Sequence, residues 1–478
     1  MWPLPLISSI HSIFRQLGIL LLLSVWAGCA RTHLDLEVPP DPDWTEVTLE
    51  GTDRILILAP HPDDEILATA GVIHEAVKRD LPIQVVFYTY GDNNVWSFTR
   101  YKKRPILSAK AVRKMGEHRF QEANAAAKEM GLSPDQIIFL GYPDFGTHHI
   151  WREHWKDQPP FRSMFTKATN VPYSTALSPG APYKGESILQ DLKTVIRDFR
   201  PTQVFVSHPA DYNPDHRTLY VFTRVALWDL AEDIQAKLYP ALTHYKVWPS
   251  QKPVKPGQSL GPPSPLFEAN QWQVFFVPAE ARQAKQSAIE KHATQYGYSP
   301  TYLNSFVRGN ELFGDFPDIT LIENTHHTTS LGEDDDPVHL EEELTPEELA
   351  AAADLAEVSV QYEDDSLILN IRHSKNLKPG ARIGVATFGY RPDVPFPDMP
   401  KVGVWIGSSD YSVVDKDTVL PKDSIHLTRS KRSLSLRIPL TLLGNPDRIM
   451  AGARATVGET EVDWAAWRII WLEKMSTP

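Results

Sequence analysis

The sequence predicts an α/β protein: a mostly parallel sheet with helices on both faces, followed by an acidic linker and a C-terminal antiparallel β-sandwich. Three observations predict it. Short apolar runs alternate with helix-length segments up to about residue 325. Residues 331–349 then carry a run of acidic side chains with no Lys or Arg among them. From residue 356 onward the pattern becomes short strand-like runs separated by turns.

The elements follow in order. Residues 54–59 form a wholly apolar run after Arg54, as a buried strand requires. A helix is expected over 65–78 and a second strand over 83–88. A helix over 117–130 has Gly131 as its C-cap, and 137–140 reads as a third strand. A helix over 186–199 is closed by Pro201; a fourth strand at 204–207 leads into a helix over 216–230. In the C-terminal part, 358–360, 366–371, 384–388, 402–406, 433–438 and 467–471 read as strands. Turns such as Lys378-Pro379-Gly380 and Gly444-Asn445-Pro446-Asp447 separate many of them. Trp405, Trp464 and Trp467 in this part are suited either to the sandwich core or to stacking on sugars.

These readings divide the chain into 1–29, an export signal; 30–50, a polar lead-in; 51–325, the α/β domain; 326–352, the acidic linker; and 353–478, the sandwich. The signal rests on a weakly basic head with His11 and Arg15, the apolar run 17–23, and the junction Ala27-Gly28-Cys29. That junction resembles a bacterial lipobox, so Cys29 is expected to be lipidated and to anchor the protein at the cell envelope; a periplasmic or secreted protein with a plain cleaved signal is the alternative. Cys29 is the single cysteine, which excludes an internal disulfide and any Cys-rich metal site. A formal charge of −12 gives no electrostatic support to a nucleic-acid partner, and none is expected.

The chemistry concentrates in two clusters. The first, Pro60-His61-Pro62-Asp63-Asp64-Glu65, follows the first strand and precedes its helix. In an open α/β sheet that is the crevice at the strand carboxyl ends, where sites form. His61 and Asp64 can converge on one cation, an imidazole and a carboxylate being suited to Zn²⁺ at about 2.0–2.2 Å. Asp63, next to them, can face the attacking water. The second cluster, Ser207-His208-Pro209-Ala210-Asp211-Tyr212-Asn213-Pro214-Asp215-His216, follows the fourth strand and offers His216 as third ligand. Such a His₂Asp set leaves a coordination position open, as catalytic zinc needs. The same residues are also compatible with Asp63 or Asp64 capping a helix and His61 bonding a backbone carbonyl.

The two clusters resemble the PIG-L/LmbE family of N-acetylglucosaminyl and related deacetylases. The resemblance covers about 52–320 and includes weaker matches at Arg119-Phe120-Gln121-Glu122, Leu140-Gly141-Tyr142-Pro143-Asp144, Lys291-His292-Ala293-Thr294-Gln295 and Glu311-Leu312-Phe313. It implies a Rossmann-like domain with one catalytic Zn²⁺ held by His61, Asp64 and His216, and Asp63 as general base. It implies substrate-binding roles for Arg119 and Asp144, which are otherwise suited to a helix-surface pair with Glu122 and to an ordinary turn.

One departure stands out. The family commonly reads His-Pro-Asp-His where this chain has Asn213-Pro214-Asp215-His216. In the family the first His stabilises the tetrahedral intermediate or protonates the amine, oriented by the Asp that corresponds to Asp215. Asn213 donates hydrogen bonds but carries no catalytic proton, and losing such a donor costs about 2.7–4 kcal/mol. Either Asn213 acts as an oxyanion donor, or His208 takes the vacant place, or activity is weak. The expected activity is zinc-dependent N-deacetylation of an N-acetylated amino sugar or related extracytoplasmic glycan. The alternatives are a non-catalytic carbohydrate-binding or scaffold protein and a zinc amidase for another N-acylated small molecule.

Overall fold

The computed structural model describes residues 37–39, 44–94, 108–251, 255, 257–324, 329–332, 345–458 and 460–474. The segment read as an export signal, with Cys29, lies outside the described residues, as do both acidic runs of the linker.

Eight strands form the first sheet: β1 (Thr45–Glu46), β2 (Ile55–Ala59), β3 (Ile83–Thr89), β4 (Ile137–Tyr142), β5 (Gln203–Ser207), β6 (Lys237–Ala241), β7 (Gln271–Phe276) and β8 (Asn310–Asp315). Their spatial order is β1-β7-β8-β6-β5-β2-β3-β4. The run β6-β5-β2-β3-β4 is parallel, whereas β8 is antiparallel to both its neighbours. The sheet is therefore mixed, its parallel half made of β6 and the four strands whose apolar runs the sequence showed. β2 is buried at all five positions, as a strand covered on both faces must be.

The helices are α1 (Asp64–Lys78), α2 (Ala109–Glu129), α3 (Thr147–Glu153), α4 (Gly185–Phe199), α5 (Pro214–Asp229) and α6 (Ala279–Lys291), followed by the short α7 (Ala293–Tyr296), α8 (Pro300–Asn304) and α9 (Pro346–Ala351). α6 packs on α1 and α2, and α5 on α3 and α4, so helices cover both faces. α2 begins eight residues before the predicted 117, capped by Ser108, whose side chain accepts from the Ala111 N–H.

α1 is broken inside: Thr69 leaves helical geometry at φ −139°. The freed N–H groups of Gly71 and Val72 donate to Glu311 on β8 (2.8 and 3.2 Å), and Lys285 of α6 bridges Glu311 to the Leu67 carbonyl (3.0 and 2.7 Å). Glycine is required at 71, where a Cβ would meet Val277 and Glu311 at 2.8 and 3.0 Å. This buried pair holds the helix whose first residue is Asp64.

The second part of the chain contains a five-stranded sheet, β10-β11-β12-β18-β17, and a seven-stranded sheet, β16-β15-β14-β13-β19-β20-β9. Their strands are β9 (Ile319–Ile322), β10 (Thr329–Gly332), β11 (Leu355–Glu363), β12 (Ser366–His373), β13 (Ala381–Tyr390), β14 (Lys401–Ile406), β15 (Tyr411–Asp415), β16 (Thr418–Leu420), β17 (His426–Arg429), β18 (Ser433–Pro439), β19 (Arg448–Val457) and β20 (Thr460–Glu473). Alternate residues of β11, β12 and β18 face inward in register: Val360 opposite Leu369, and Leu369 opposite Leu436, all buried. Apart from β9, which runs parallel to β20, the pairing is antiparallel, as expected for a sandwich.

Three boundaries differ from the sequence reading. β9 lies before residue 325 but belongs to the seven-stranded sheet, so the second region begins earlier in the chain. The lead-in contributes β1 and buries Val47 and Leu49, while Glu37 pairs with Arg308 at 3.1 Å. The linker contains β10 and α9, the latter with a capping box between Thr345 and Glu348.

The outer face of the seven-stranded sheet packs on the α/β region. Trp467, Phe388 and Phe396 surround the buried Trp151 of α3, at ring distances of 6.1, 5.3 and 5.4 Å. Trp467 is thus a core residue. Trp405 and Trp464 are half-buried, each beneath a guanidinium: Arg454 at 4.5 Å and Arg217 at 4.3 Å.

Candidate metal centre

The strand order reverses around β2, which has β5 on one side and β3 on the other. Ligands bind at such a point, outside the carboxyl ends of the strands. Segments leaving β2, β4, β5 and β6 bring His61 and Asp64, Asp144, Asp211 to His216, and Thr243 to this edge.

Three atoms converge. His61 Nδ1 lies 3.2 Å from Asp64 Oδ2, His216 Nε2 lies 3.1 Å from the same oxygen, and the two nitrogens are 3.2 Å apart. A tetrahedral ion with bonds of about 2.0–2.1 Å separates its ligands by about 3.3–3.4 Å, close to this triangle. The other Asp64 oxygen, Oδ1, is buried without a hydrogen-bond partner. The residues present therefore fit a zinc ion.

Two further groups with metal-ligand chemistry share these histidines: His61 with Asp144 and Asp215, and His216 with Asp211 and His244. They are better read as supports. His61 Nε2 sits 3.2 Å from Asp144 Oδ1 and 3.4 Å from Asp215 Oδ2, and His216 Nδ1 sits 3.2 Å from Asp211 Oδ2. Each ring thus has one nitrogen toward the triangle and the other on a carboxylate, the arrangement that fixes the tautomer of a metal-binding histidine.

The electrostatics favour a cation here. Burial pulls the His61 and His216 imidazoles down, yet the carboxylates outweigh it: Asp144 first for His61, and Asp211 and Asp64 for His216, which is lifted to about 9. Asp64, despite burial, is held well below the usual carboxylate range by His216 and His61.

Asp63 stands apart from the triangle. Its φ of +128° is outside the regions an L-residue ordinarily occupies, a strain worth about 1–3 kcal/mol that clusters at functional sites. It occupies the N-cap position of α1, yet its side chain makes no capping hydrogen bond, so its capping alternative fails. Its N–H donates to Glu65 Oε2 (2.8 Å), and Glu65 Oε1 lies 3.0 Å from His292 Nε2. Burial pushes the Asp63 carboxyl up to about 6, against the opposing pull of Arg119.

The other predicted residues fall as follows. Arg119 is buried; its guanidinium donates to the Gly91 carbonyl (2.9 Å) and the Pro62 carbonyl (2.5 Å) and lies 3.5 Å from Asp63 Oδ2. It braces the turn from below instead of pairing with Glu122, which accepts from the Thr294 N–H and hydroxyl (2.9 and 2.6 Å). Asp144 is in the cluster through His61 and also accepts the Asn93 N–H (2.9 Å). Asp215 accepts from the Phe145 N–H (2.5 Å), the Thr147 N–H (3.3 Å) and the Thr147 hydroxyl, tying the β4–α3 turn to His61. Asn213 caps α5: its Oδ1 accepts the Asp215 N–H at 2.9 Å.

His208 is not brought to the cluster. Its ring is fully buried, with Nε2 on Asn270 Oδ1 (2.8 Å), Nδ1 accepting the Ala210 N–H (3.0 Å), and one face against Trp272. Both nitrogens are committed, and the place left by Asn213 is not taken by His208.

Several site residues carried no assigned role in the sequence. Asp211 holds His216 and accepts the N–H groups of Thr243 (3.0 Å) and His244 (2.8 Å). Thr243 Oγ1 is 3.1 Å from His216 Nδ1, and the Tyr302 hydroxyl donates to the Thr243 carbonyl (2.7 Å). The Asp within Ala210-Asp211-Tyr212 was a possible signal; Thr243 and Tyr302, more than twenty residues from either cluster, offered none.

The family profile described as PIG-L, GlcNAc-PI de-N-acetylase, matches residues 56–227, a span that includes His61, Asp63, Asp64, Arg119, Asp144, Asp215 and His216. A 1D-myo-inositol 2-acetamido-2-deoxy-alpha-D-glucopyranoside deacetylase from Kribbella flavida is 25% identical over 55% of this chain and 89% of its own. A protein of the same description from Saccharopolyspora erythraea is 27% identical over 52% of this chain and 80% of its own. The solved N,N'-diacetylchitobiose deacetylase from Pyrococcus horikoshii is similar over 55% of this chain and 82% of its own, at 17% identity and a TM-score of 0.33, too low to weigh on the fold. The profile match runs through both clusters, and over residues 56–227 the chain is similar to the PIG-L family.

Proposed function

We propose that the protein is a zinc-dependent N-deacetylase acting on an N-acetylated amino sugar or related glycan outside the cytoplasm. The observation that carries this reading is the triangle of His61 Nδ1, Asp64 Oδ2 and His216 Nε2, with the uncapped carboxylate of Asp63 beside it. The relatives' activities support the sugar amide as substrate, and the export-signal-like start supports an extracytoplasmic one.

When bound, zinc supplies Lewis-acid activation of water and of the amide carbonyl. The chain's residues do the rest. Asp63 accepts a proton from the attacking water as its oxygen bonds to the acyl carbon. Asp144, Asp215 and Asp211 keep the two imidazoles in one tautomer and orientation. Arg119 holds the turn that carries Asp63. As the C–N bond breaks, Asp63 returns the proton to the amine, so acetate and the free amino sugar leave. With His208 committed elsewhere and the Asn213 oxygen engaged by α5, Asp63 serves in both proton transfers.

Acetate release from a panel of N-acetylglucosaminides tests this reading. The zinc-loaded protein is expected to release acetate, and Asp63→Ala to abolish release while zinc remains bound. A zinc-loaded protein that deacetylates nothing in the panel overturns it and favours the non-catalytic binder.

A further inference from the structure

Phe145 combines two features that each cost free energy and that packing does not offset. The residue is 47% exposed, and its φ is +56°, the left-handed region that a bulky residue rarely adopts. The conformation is imposed from the candidate metal centre. The Phe145 N–H donates to Asp215 Oδ2 at 2.5 Å, and that oxygen lies 3.4 Å from His61 Nε2. The preceding residue, Asp144, places Oδ1 3.2 Å from the same nitrogen. The turn is supported from its far side by Phe161, which fits only because residue 146 is glycine: a Cβ there would lie 2.5 Å from the Phe161 ring. Phe161 thus does the packing, and the ring of Phe145 is left exposed one residue after Asp144, which contacts His61.

We infer that Phe145 is a stacking platform for the pyranose ring that bears the amide, and a residue that selects amino sugars over acyclic amides. The inference rests on the deacetylase reading above. A pyranose has an apolar C–H face and a polar hydroxyl rim. An exposed aromatic ring beside a polar cleft covers the first and leaves the second to hydrogen bonds. Binding then removes the apolar surface that the free protein exposes.

The zinc-loaded full chain and its Phe145→Ala, Phe145→Gly and Phe145→Tyr variants test this. Acetate release from methyl N-acetylglucosaminide gives KM and kcat. Calorimetry with methyl glucosaminide, which has no acyl group, reads ring binding independently of turnover. The expected result is about a tenfold loss of affinity and rise in KM in Phe145→Ala and Phe145→Gly, little change in kcat, and retention in Phe145→Tyr. Phe145→Gly is also expected to melt no lower than the parent, since glycine accepts the positive φ. Loss of melting temperature with unchanged affinity would mean a packing role and overturn the inference. So would a change confined to acyl-chain preference, or a parent protein that does not bind the glycoside. Binding without acetate release would sink the deacetylase reading and leave the platform standing.

Discussion

The two regions of the chain bury their side chains to different ends. In the five-stranded sheet, β11, β12 and β18 turn Val, Leu and Ile inward, and the interior is apolar. The α/β region buries an apolar core too, but at one edge of its sheet it also buries His61, Asp64, Asp144, Asp211, Asp215 and His216. Among the described residues, the groups able to hold a metal all lie in this first region. Topology accounts for the contrast. Parallel strands end on the same edge, so loops far apart in sequence meet there. An antiparallel meander sends successive ends to opposite edges.

The regions are nevertheless one packing unit. The seven-stranded sheet is covered on both faces, by the sandwich core and by Trp151 with its neighbours. A second link reaches the site itself: Arg217, next in sequence to His216, pairs with Glu461 at 2.5 Å and lies over Trp464, both on β20.

The largest expected effect separates ligands from scaffold. His61→Ala or His216→Ala should remove the bound metal and all acetate release while the sandwich stays folded, as read by metal content and circular dichroism. Trp467→Ala tests whether the two regions are coupled. A buried Trp lost from their shared core is expected to cost about 3–5 kcal/mol, and denaturant unfolding should remain one transition. Two separate transitions would break the picture of a common core. Asp211→Asn leaves the triangle intact and weakens the support of His216; zinc affinity measured against a competing chelator should fall about 10–100-fold.

The smallest effect is a pH response confined to the α/β region. Asp92 is buried beside Asp144 and bonded to the Tyr173 hydroxyl, and burial pushes its carboxyl up to about 7. A carboxyl whose folded value is raised contributes stability that is full below its unfolded value near 4 and is lost as pH rises through 7. Asp92→Asn should flatten this loss, on the order of 1 kcal/mol between pH 5 and 7, in melting curves across that range.

Much of this was legible in the residues. The strands whose apolar runs are buried on both faces, β2 to β5, were read within a few residues, because such burial leaves an unbroken run. β6, β7 and β8 were missed; β6 carries Pro240 within Lys237–Ala241, and β7 begins with an exposed Gln271. β19 was missed although ten residues long, its Gly452 and three alanines hiding the alternation that its neighbours show. The partners of Arg119 and His208 were not legible for one reason: residue type and spacing do not say which partner a buried polar group finds.

The local pattern alone determined the alternation of strand and helix, the turn over which His61 and Asp64 meet, and the shift to a sandwich, since each depends on neighbours within one element. The fold alone decided which strand ends adjoin, that Asp211 and not His208 attends His216, and that Phe145 is left exposed. Those outcomes depend on chain closure across more than a hundred residues, where short-range preference carries no information and only the joint burial of apolar surface selects the arrangement.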